Sequence, residues 1–133
     1  MYYRATVTED FDNIIPNEHF IGITIEHAKQ IMDMPTIQKW SVFSDRLFAI
    51  IIANEFCKDM YAIGLIVCKG VQISELKYLR QVTRELVEFR QAKYVYSEGE
   101  TNKVRDRFHE FMGFEIELDL DTFKKWKLKG LEY

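Results

Sequence analysis

Apolar and polar positions along the chain form two kinds of pattern, one typical of strands and one typical of helices. Residues 47–53 and 61–67 are continuous apolar runs, which are typical of strands covered on both faces. Between residues 75 and 90 apolar side chains recur at three- and four-residue steps, which predicts the longest helix, with Ser74 as its N-cap. This apolar stripe consists of Leu76, Leu79, Val82, Leu86 and Phe89.

Shorter elements are predicted from residues that cap helices or break strands. Thr8 and Thr24 each precede a helical segment as N-cap, and Asn102 caps a further helix that Gly113 ends. Residues 98–101 are predicted to form a loop. The remaining strands are predicted over residues 2–7, 40–44, 93–97, 114–118 and 123–128.

The predicted elements follow the order β-α-α-β-β-β-α-β-α-β-β, without an internal repeat or a break in composition. Such an order predicts one α/β domain over residues 1–133, a mixed and mostly antiparallel sheet with helices on both faces. Residues 114–118 alternate apolar and acidic side chains, so this strand is expected to have one wet face.

The composition limits the classes of protein to which this chain could belong. The chain has 133 residues and a net charge of −3, whereas a protein that wraps nucleic acid normally has a basic surplus. Cys57 and Cys68 are expected near opposite ends of neighbouring segments, so we expect free thiols in a reducing compartment such as the cytoplasm. Every apolar run is too short to span a bilayer, so no membrane partner is expected.

Two segments, together with the element order, resemble the GNAT family of N-acetyltransferases. Residues 3–11 are similar to the family's first strand running into an acidic helix start. The more specific likeness is residues 102–114, where Asn102 begins a helix and the Gly113-Phe114 pair follows it at the family's spacing. Within the family, the chain looks most like the small GNAT-like internal virion proteins of short-tailed phages, because of its short length and long charged helix.

The resemblance implies that acetyl-CoA binds through its pyrophosphate to backbone N–H groups in residues 68–74, ahead of the long helix. Amide groups and the helix dipole attract anions at such a place. The residues that correspond to this cofactor site are Lys69, Gly70, Val71, Ser74 and Asn102. The loop has one glycine where the family has two or more, so an ordinary capped loop is the alternative. Asn102 is most simply an N-cap.

The resemblance also implies which residues would move protons during acyl transfer. His109 stands where the family often has a tyrosine that protonates the departing thiolate. The family's glutamate on the central strand has no counterpart in residues 61–67, so Glu98 and Glu100 are the candidate bases. The alternatives are an ordinary helix histidine and a solvated acidic loop.

The histidines and the lysine-rich C-terminal segment indicate less specific roles. His19, His27 and His109 have no metal-ligand spacing, so no metal site is predicted. Lysines at 124, 125, 127 and 129 surround Trp126 on what is predicted to be an edge strand. There they would discourage aggregation, or dock an acidic partner or nucleic acid.

Three functions are compatible with these observations. The leading hypothesis is a phage-type GNAT-like protein that has lost efficient catalysis and acts through a virion or host protein partner, in the particle or in the host cytoplasm. The second is an acetyl-CoA-dependent N-acetyltransferase with substituted catalytic residues. The third is a binding module that uses the basic edge. Exposed strand edges and aromatic residues are also compatible with a homo-oligomer.

Overall fold

The computed structural model describes residues 1–17 and 23–131. Its strands are β1 (Tyr2–Ala5), β2 (Ile37–Phe43), β3 (Leu47–Cys57), β4 (Met60–Val67), β5 (Tyr94–Glu100), β6 (Phe114–Asp119) and β7 (Phe123–Leu128). Its helices are α1 (Ile25–Gln30), α2 (Ile73–Phe89) and α3 (Lys103–Met112), and a 3-10 turn spans Thr8–Asp12.

The strands form one sheet in the order β1-β2-β3-β4-β5-β7-β6. Every neighbouring pair is antiparallel except β4 and β5, which are parallel and are joined by α2 as the crossover. The predicted mixed, mostly antiparallel sheet is therefore confirmed.

Helices cover both faces of this sheet, as predicted. Side chains alternate between the two faces along a strand. On one face, Ile52 and Gly64 line a cavity with residues of α1. On the opposite face, Ile51 contributes to a cavity wall with Leu86 of α2, and Leu65 lines a cavity with residues of α3.

The core is centred on β3 and β4, which carry the two continuous apolar runs. Phe48, Ile50, Ile51 and Ile66 are at most 1% exposed, so both faces of these strands are covered. Cys57 ends β3 and Cys68 follows β4, and both are free thiols at opposite ends of the hairpin. No helix in the described part of the chain is long and apolar enough to cross a membrane.

Local capping signals predicted two helix starts and one helix end correctly. The Thr24 hydroxyl accepts the His27 N–H at 3.1 Å. The Asn102 side-chain oxygen accepts the N–H groups of Val104 and Arg105 at 2.9 and 3.2 Å. Gly113 ends α3 with a φ of 95°, a conformation that favours glycine.

The N-cap predictions for Thr8 and Ser74 are wrong. Val7 caps the 3-10 turn, and its N–H donates to the Asp10 carboxylate at 3.0 Å. Gln72 caps α2, and its N–H donates to the Glu75 carboxylate at 2.8 Å. In both cases an acidic side chain three residues later reaches back to the cap, so the element begins earlier than a search for hydroxyl caps predicts.

Two predictions about apolar faces are also wrong. Phe89 is 83% exposed at the end of α2, and Val87 is buried in the core instead. Ile116 and Leu118 on β6 are 45% and 47% exposed, so β6 is solvent-exposed on both faces after the buried Phe114. β6 is an outer strand of the sheet, where alternation alone does not ensure a covering layer.

The predicted loop at residues 98–101 instead extends β5 as far as Glu100. Its polar residues pair with β7, with Glu98 opposite Lys125 and Glu100 opposite Phe123. The cross-strand ladder with β7 stabilises a strand that the local sequence disfavours.

The lysine-rich strand is not an edge strand, because β7 lies between β5 and β6. Its lysines face acidic side chains: the N–O distances are 2.6 Å for Lys124–Asp106, 3.3 Å for Lys125–Glu117 and 3.8 Å for Lys127–Glu115. A binding module built on a basic edge is therefore inconsistent with the topology.

Candidate functional site

The parallel strands β4 and β5 separate after only three paired positions. The described pairing begins at Met60 opposite Tyr94 and ends at Ala62 opposite Tyr96. Beyond this point β5 remains paired with β7. From Ile63 and Ser97 onward the two facing strand edges diverge, which opens the sheet near its centre. Unpaired strand edges offer N–H donors and C=O acceptors to an extended ligand.

A cavity of about 560 Å³ lies at this opening, on the face of the sheet that α1 covers. Its wall is mostly apolar, and its polar groups come from α1, β3 and β5. The lining residues with polar groups are Thr24, His27, Asn54, Tyr96, Ser97 and Glu98. An apolar cleft with a few convergent polar groups is typical of a small-molecule site.

His109 lies on the opposite face, behind Ser97. Its side chain is buried, with Nδ1 2.9 Å from the backbone oxygen of Arg105 and Nε2 3.0 Å from the Ser97 hydroxyl. Because a carbonyl oxygen can only accept, Nδ1 carries the proton and donates it to Arg105. Nε2 of the neutral ring is then an acceptor, and the Ser97 hydroxyl donates to it.

Aromatic rings fix the imidazole of His109 in place. The Trp126 ring is stacked on it, with centroids 5.0 Å apart and planes 4° apart. Phe114 contacts it edge-on at 5.6 Å. Burial among these groups lowers the pKa of His109, so the ring is neutral at pH 7. The predicted catalytic histidine is thus a hydrogen-bond acceptor for Ser97.

The two candidate bases lie at different places relative to the cavity. Glu98 lines it, whereas Glu100 lies two residues further along β5 and outside the described lining. The backbone oxygen of Glu100 accepts from the Arg105 guanidinium at 3.0 Å. Geometry therefore favours Glu98 of the two for contact with a molecule in the cavity.

The predicted cofactor loop connects β4 to α2, and its backbone is partly engaged within the chain. The Lys69 N–H donates to the Ile15 oxygen at 2.7 Å, and the Asn17 N–H donates to the Val67 oxygen at 2.7 Å. Gly70 has a φ of 74°, and a Cβ added there would meet no atom within 4 Å. A larger residue would be opposed by the left-handed backbone rather than by lack of space.

An ion-pair network lies beneath the first turn of α2. The Glu75 carboxylate accepts from Arg46 at 2.9 Å and from the Ser44 hydroxyl at 2.6 Å, and Arg46 also donates to the Gly70 oxygen at 2.9 Å. The hydrogen bond from Arg46 holds the pKa of Glu75 at about 2, below its ordinary value of 4.5. Ser74 is exposed on this turn, where helical geometry leaves its N–H without an intrahelical acceptor.

We expect Glu75→Gln to destabilise the protein by about 2 kcal/mol at neutral pH, after discounting the shift because Arg46 is half exposed. Because folding lowers the pKa of Glu75, its stabilisation is complete above pH 4.5 and is lost as the pH falls towards 2. The free energy of unfolding in urea, measured from pH 7 to pH 2, should therefore fall less steeply in Glu75→Gln. Glu85→Gln, an exposed change on the same helix, should leave the slope unchanged; equal slopes in all three proteins would contradict the network.

The remaining predicted site residues lie apart from the cavity. Val71 is half-buried in the loop before α2. The side-chain oxygen of Asn102 is engaged in capping α3, so a direct cofactor contact stays a prediction. Within residues 1–17 and 23–131 no cluster of acidic, histidine or cysteine residues could hold a metal. His19 lies outside the described residues.

Sequence reasoning missed Ser97 and Arg46. Ser97 follows three β-formers and is indistinguishable from an ordinary strand residue until β5 is known to leave β4 at that point. Arg46 lies between β2 and β3, and only the fold brings it to α2, 29 positions away in sequence from Glu75. The cue for both residues is topological rather than local.

Comparison with known proteins identifies the fold. No protein-family model matches the chain, and no curated protein matches it. Solved structures do match at 9–12% identity. A putative phosphinothricin N-acetyltransferase has a TM-score of 0.71 at 12% identity, with 99% of each chain covered. The GNAT domain of S. lividans PAT has a TM-score of 0.70 at 10% identity, with 95% of this chain and 88% of that one covered.

A Bacillus subtilis acetyltransferase in complex with CoA is also similar, with a TM-score of 0.67 at 9% identity, covering 97% of this chain and 98% of that one. Together with the sheet order and the parting of β4 and β5, these structures show that the chain has the GNAT fold. The fold that the motif at residues 102–114 implies is thereby confirmed.

Proposed function

We propose that this protein is an acetyl-CoA-dependent N-acyltransferase. The observation that carries the proposal is the opening between β4 and β5, because it joins strand edges that no described strand pairs with to a cavity of about 560 Å³. Structures of the same fold include a putative phosphinothricin N-acetyltransferase and an acetyltransferase in complex with CoA. This function was the second hypothesis drawn from the sequence, and these likenesses favour it over a protein that has lost catalysis.

The chain's own groups fit acetyl-CoA at two places. The pantetheine arm contains amide groups, which can pair with strand edges beyond Ile63 and Ser97. The phosphates suit the first turn of α2, where the Ser74 N–H has no intrahelical acceptor and Lys69 stands in the preceding loop. Bound there, acetyl-CoA would supply the activated acyl group, and the protein would supply position, charge and a path for protons.

Glu98 is proposed to attract the cationic amine that accepts the acyl group. We expect Glu98→Gln to raise the KM for a primary amine about tenfold, because the carboxylate on the cavity wall attracts an ammonium group and a neutral amide lacks that charge. The assay follows release of CoA thiol from acetyl-CoA with phenethylamine as acceptor.

Glu100→Gln is the matched control, since Glu100 lies outside the described lining of the cavity, and its KM should equal that of the wild type. Equal effects of the two substitutions would contradict a specific role for Glu98. Absence of any thiol release from wild-type protein would contradict the proposed enzyme.

A second candidate function is a GNAT-shaped protein that acts by contact with other proteins, in the manner of the small internal virion proteins that the sequence resembles. Two contacts favour it. The Glu75 carboxylate occupies the Gln72 N–H at the start of α2, and the Ile15 oxygen occupies the Lys69 N–H. Both donors are thus unavailable to phosphate. Failure to bind acetyl-CoA, together with co-purification of one partner at fixed stoichiometry, would support this function.

A further inference from the structure

Ser97 occupies the position where β4 and β5 part. It is the first residue of β5 after the last pair with β4, Ala62 opposite Tyr96. Ser97 is 8% exposed, and it contributes both to the large cavity on the α1 face and to the small pocket that contains His109. A hydroxyl at this position can contact a molecule between the strands while remaining bonded to the histidine behind it.

The hydrogen bonds determine which residue is the donor in the Ser97–His109 pair. Arg105 holds the proton of the imidazole on Nδ1, so Nε2 receives the Ser97 hydroxyl at 3.0 Å. The stacked Trp126 fixes the ring plane. A hydroxyl within hydrogen-bond reach of a base that a third group orients has the geometry of general base catalysis.

We propose that Ser97 and His109 form a proton relay for acyl transfer, in which Ser97 is the catalytic residue and His109 acts through it. The inference rests on the proposed N-acyltransferase function. It also explains how β4 can lack an acidic residue, because the relay replaces a carboxylate base.

The relay moves one proton and leaves the protein unchanged. The ammonium group held beside Glu98 first loses one proton to solvent and becomes the neutral amine. As the amine lone pair then forms the new C–N bond, the nitrogen gives a proton to the Ser97 oxygen, whose own proton passes to Nε2 of His109. The C–S bond breaks with its electron pair on sulfur. The imidazolium then returns its proton through Ser97 to the thiolate, which restores the neutral histidine.

The surroundings of His109 determine the pH dependence of this relay. Apolar rings from β6 and β7 bury it. On α3 the Arg105 backbone oxygen and Asp106 favour its charged form, whereas the Arg105 guanidinium opposes it. Lys124 of β7 pairs with Asp106 at 2.6 Å. Burial is the largest effect and lowers the pKa, so the ring remains a base below pH 6.5 and activity falls only at more acidic pH.

The test compares Ser97→Ala, Ser97→Thr and wild type, with acetyl-CoA as donor and either phenethylamine or hydroxylamine as acceptor. We expect Ser97→Ala to lower kcat by about 100-fold or more with an unchanged acetyl-CoA Kd, and Ser97→Thr to retain activity within about tenfold. The acidic limb of kcat/KM should lie below pH 6.5 in wild type and disappear in His109→Gln.

The possible results separate failure of the relay from failure of the enzyme. Full activity of Ser97→Ala, or an acetyl ester on Ser97 in the mass spectrum, would overturn the relay but keep the enzyme. Absence of transfer by a wild type that binds acetyl-CoA would overturn both. Nitrogen NMR of His109 in the wild type tests the direction of the hydrogen bond without an amine substrate. The imidazole proton should be on Nδ1, and a ring protonated on Nε2 alone would overturn the relay.

Discussion

Ser74→Glu is expected to weaken acetyl-CoA binding at least about 30-fold, the equivalent of about 2 kcal/mol. Ser74 is exposed on the first turn of α2, where the proposed phosphate contacts lie. A carboxylate there would repel the phosphates and compete for the same N–H groups. It would not weaken the helix, because negative charge near a helix N-terminus stabilises it by about 0.3–1 kcal/mol.

Ser74→Gln is the matched control, since glutamine has the size of glutamate without its charge. Its Kd, measured by calorimetry, should remain within about threefold of wild type, and thermal unfolding should show both variants folded. An acetyl-CoA Kd for Ser74→Glu equal to that of Ser74→Gln would show that the phosphates do not bind at the start of α2. It would contradict the proposed placement.

Trp126→Ala is expected to cost about 3–5 kcal/mol of stability, the usual range for removing a large aromatic side chain from a core. Trp126 is 2% exposed on the interior strand β7 and stacks on His109. Its loss would leave a cavity and free the imidazole from one of its fixed neighbours. Urea unfolding measures the change in free energy.

A conservative change at the half-buried Phe123 provides the comparison on the same strand. Phe123→Tyr should cost under about 1 kcal/mol, because the aromatic ring remains. A loss below about 1 kcal/mol for Trp126→Ala would show that the packing around His109 is not tight. The proposed relay would then lack its fixed geometry.

Features that depend on a few neighbouring residues were predictable from the sequence. Asn102 and Thr24 cap α3 and α1 through bonds to residues two or three positions away, and Gly113 ends α3 by its own backbone freedom. The apolar runs in β3 and β4 are buried as their composition predicts. Each of these depends on short-range geometry or on bulk hydrophobicity.

Features that depend on distant partners were not predictable in this way. Asp10 and Glu75 decide where their elements begin, and they are oriented by arginines that the fold brings to them, Arg4 and Arg46. β5 extends to Glu100 because β7 lies beside it. Composition alone could not distinguish the buried pairing of β7 from an edge.

The candidate site was predicted only in part, because it too depends on residues that strand pairing brings together. The likeness at residues 102–114 drew attention to His109, but its meaning depends on Ser97, which the chain places opposite it only through strand pairing. Glu98 and Glu100 look equivalent in sequence, and the cavity separates them.

The most direct test of the proposed function is calorimetric titration of wild-type protein with acetyl-CoA, with free CoA as a comparison. The proposed N-acyltransferase predicts saturable one-to-one binding of both, since they share the pantetheine arm and the phosphates. No heat of binding at millimolar acetyl-CoA would contradict it and leave a GNAT-shaped protein that works by contact with others.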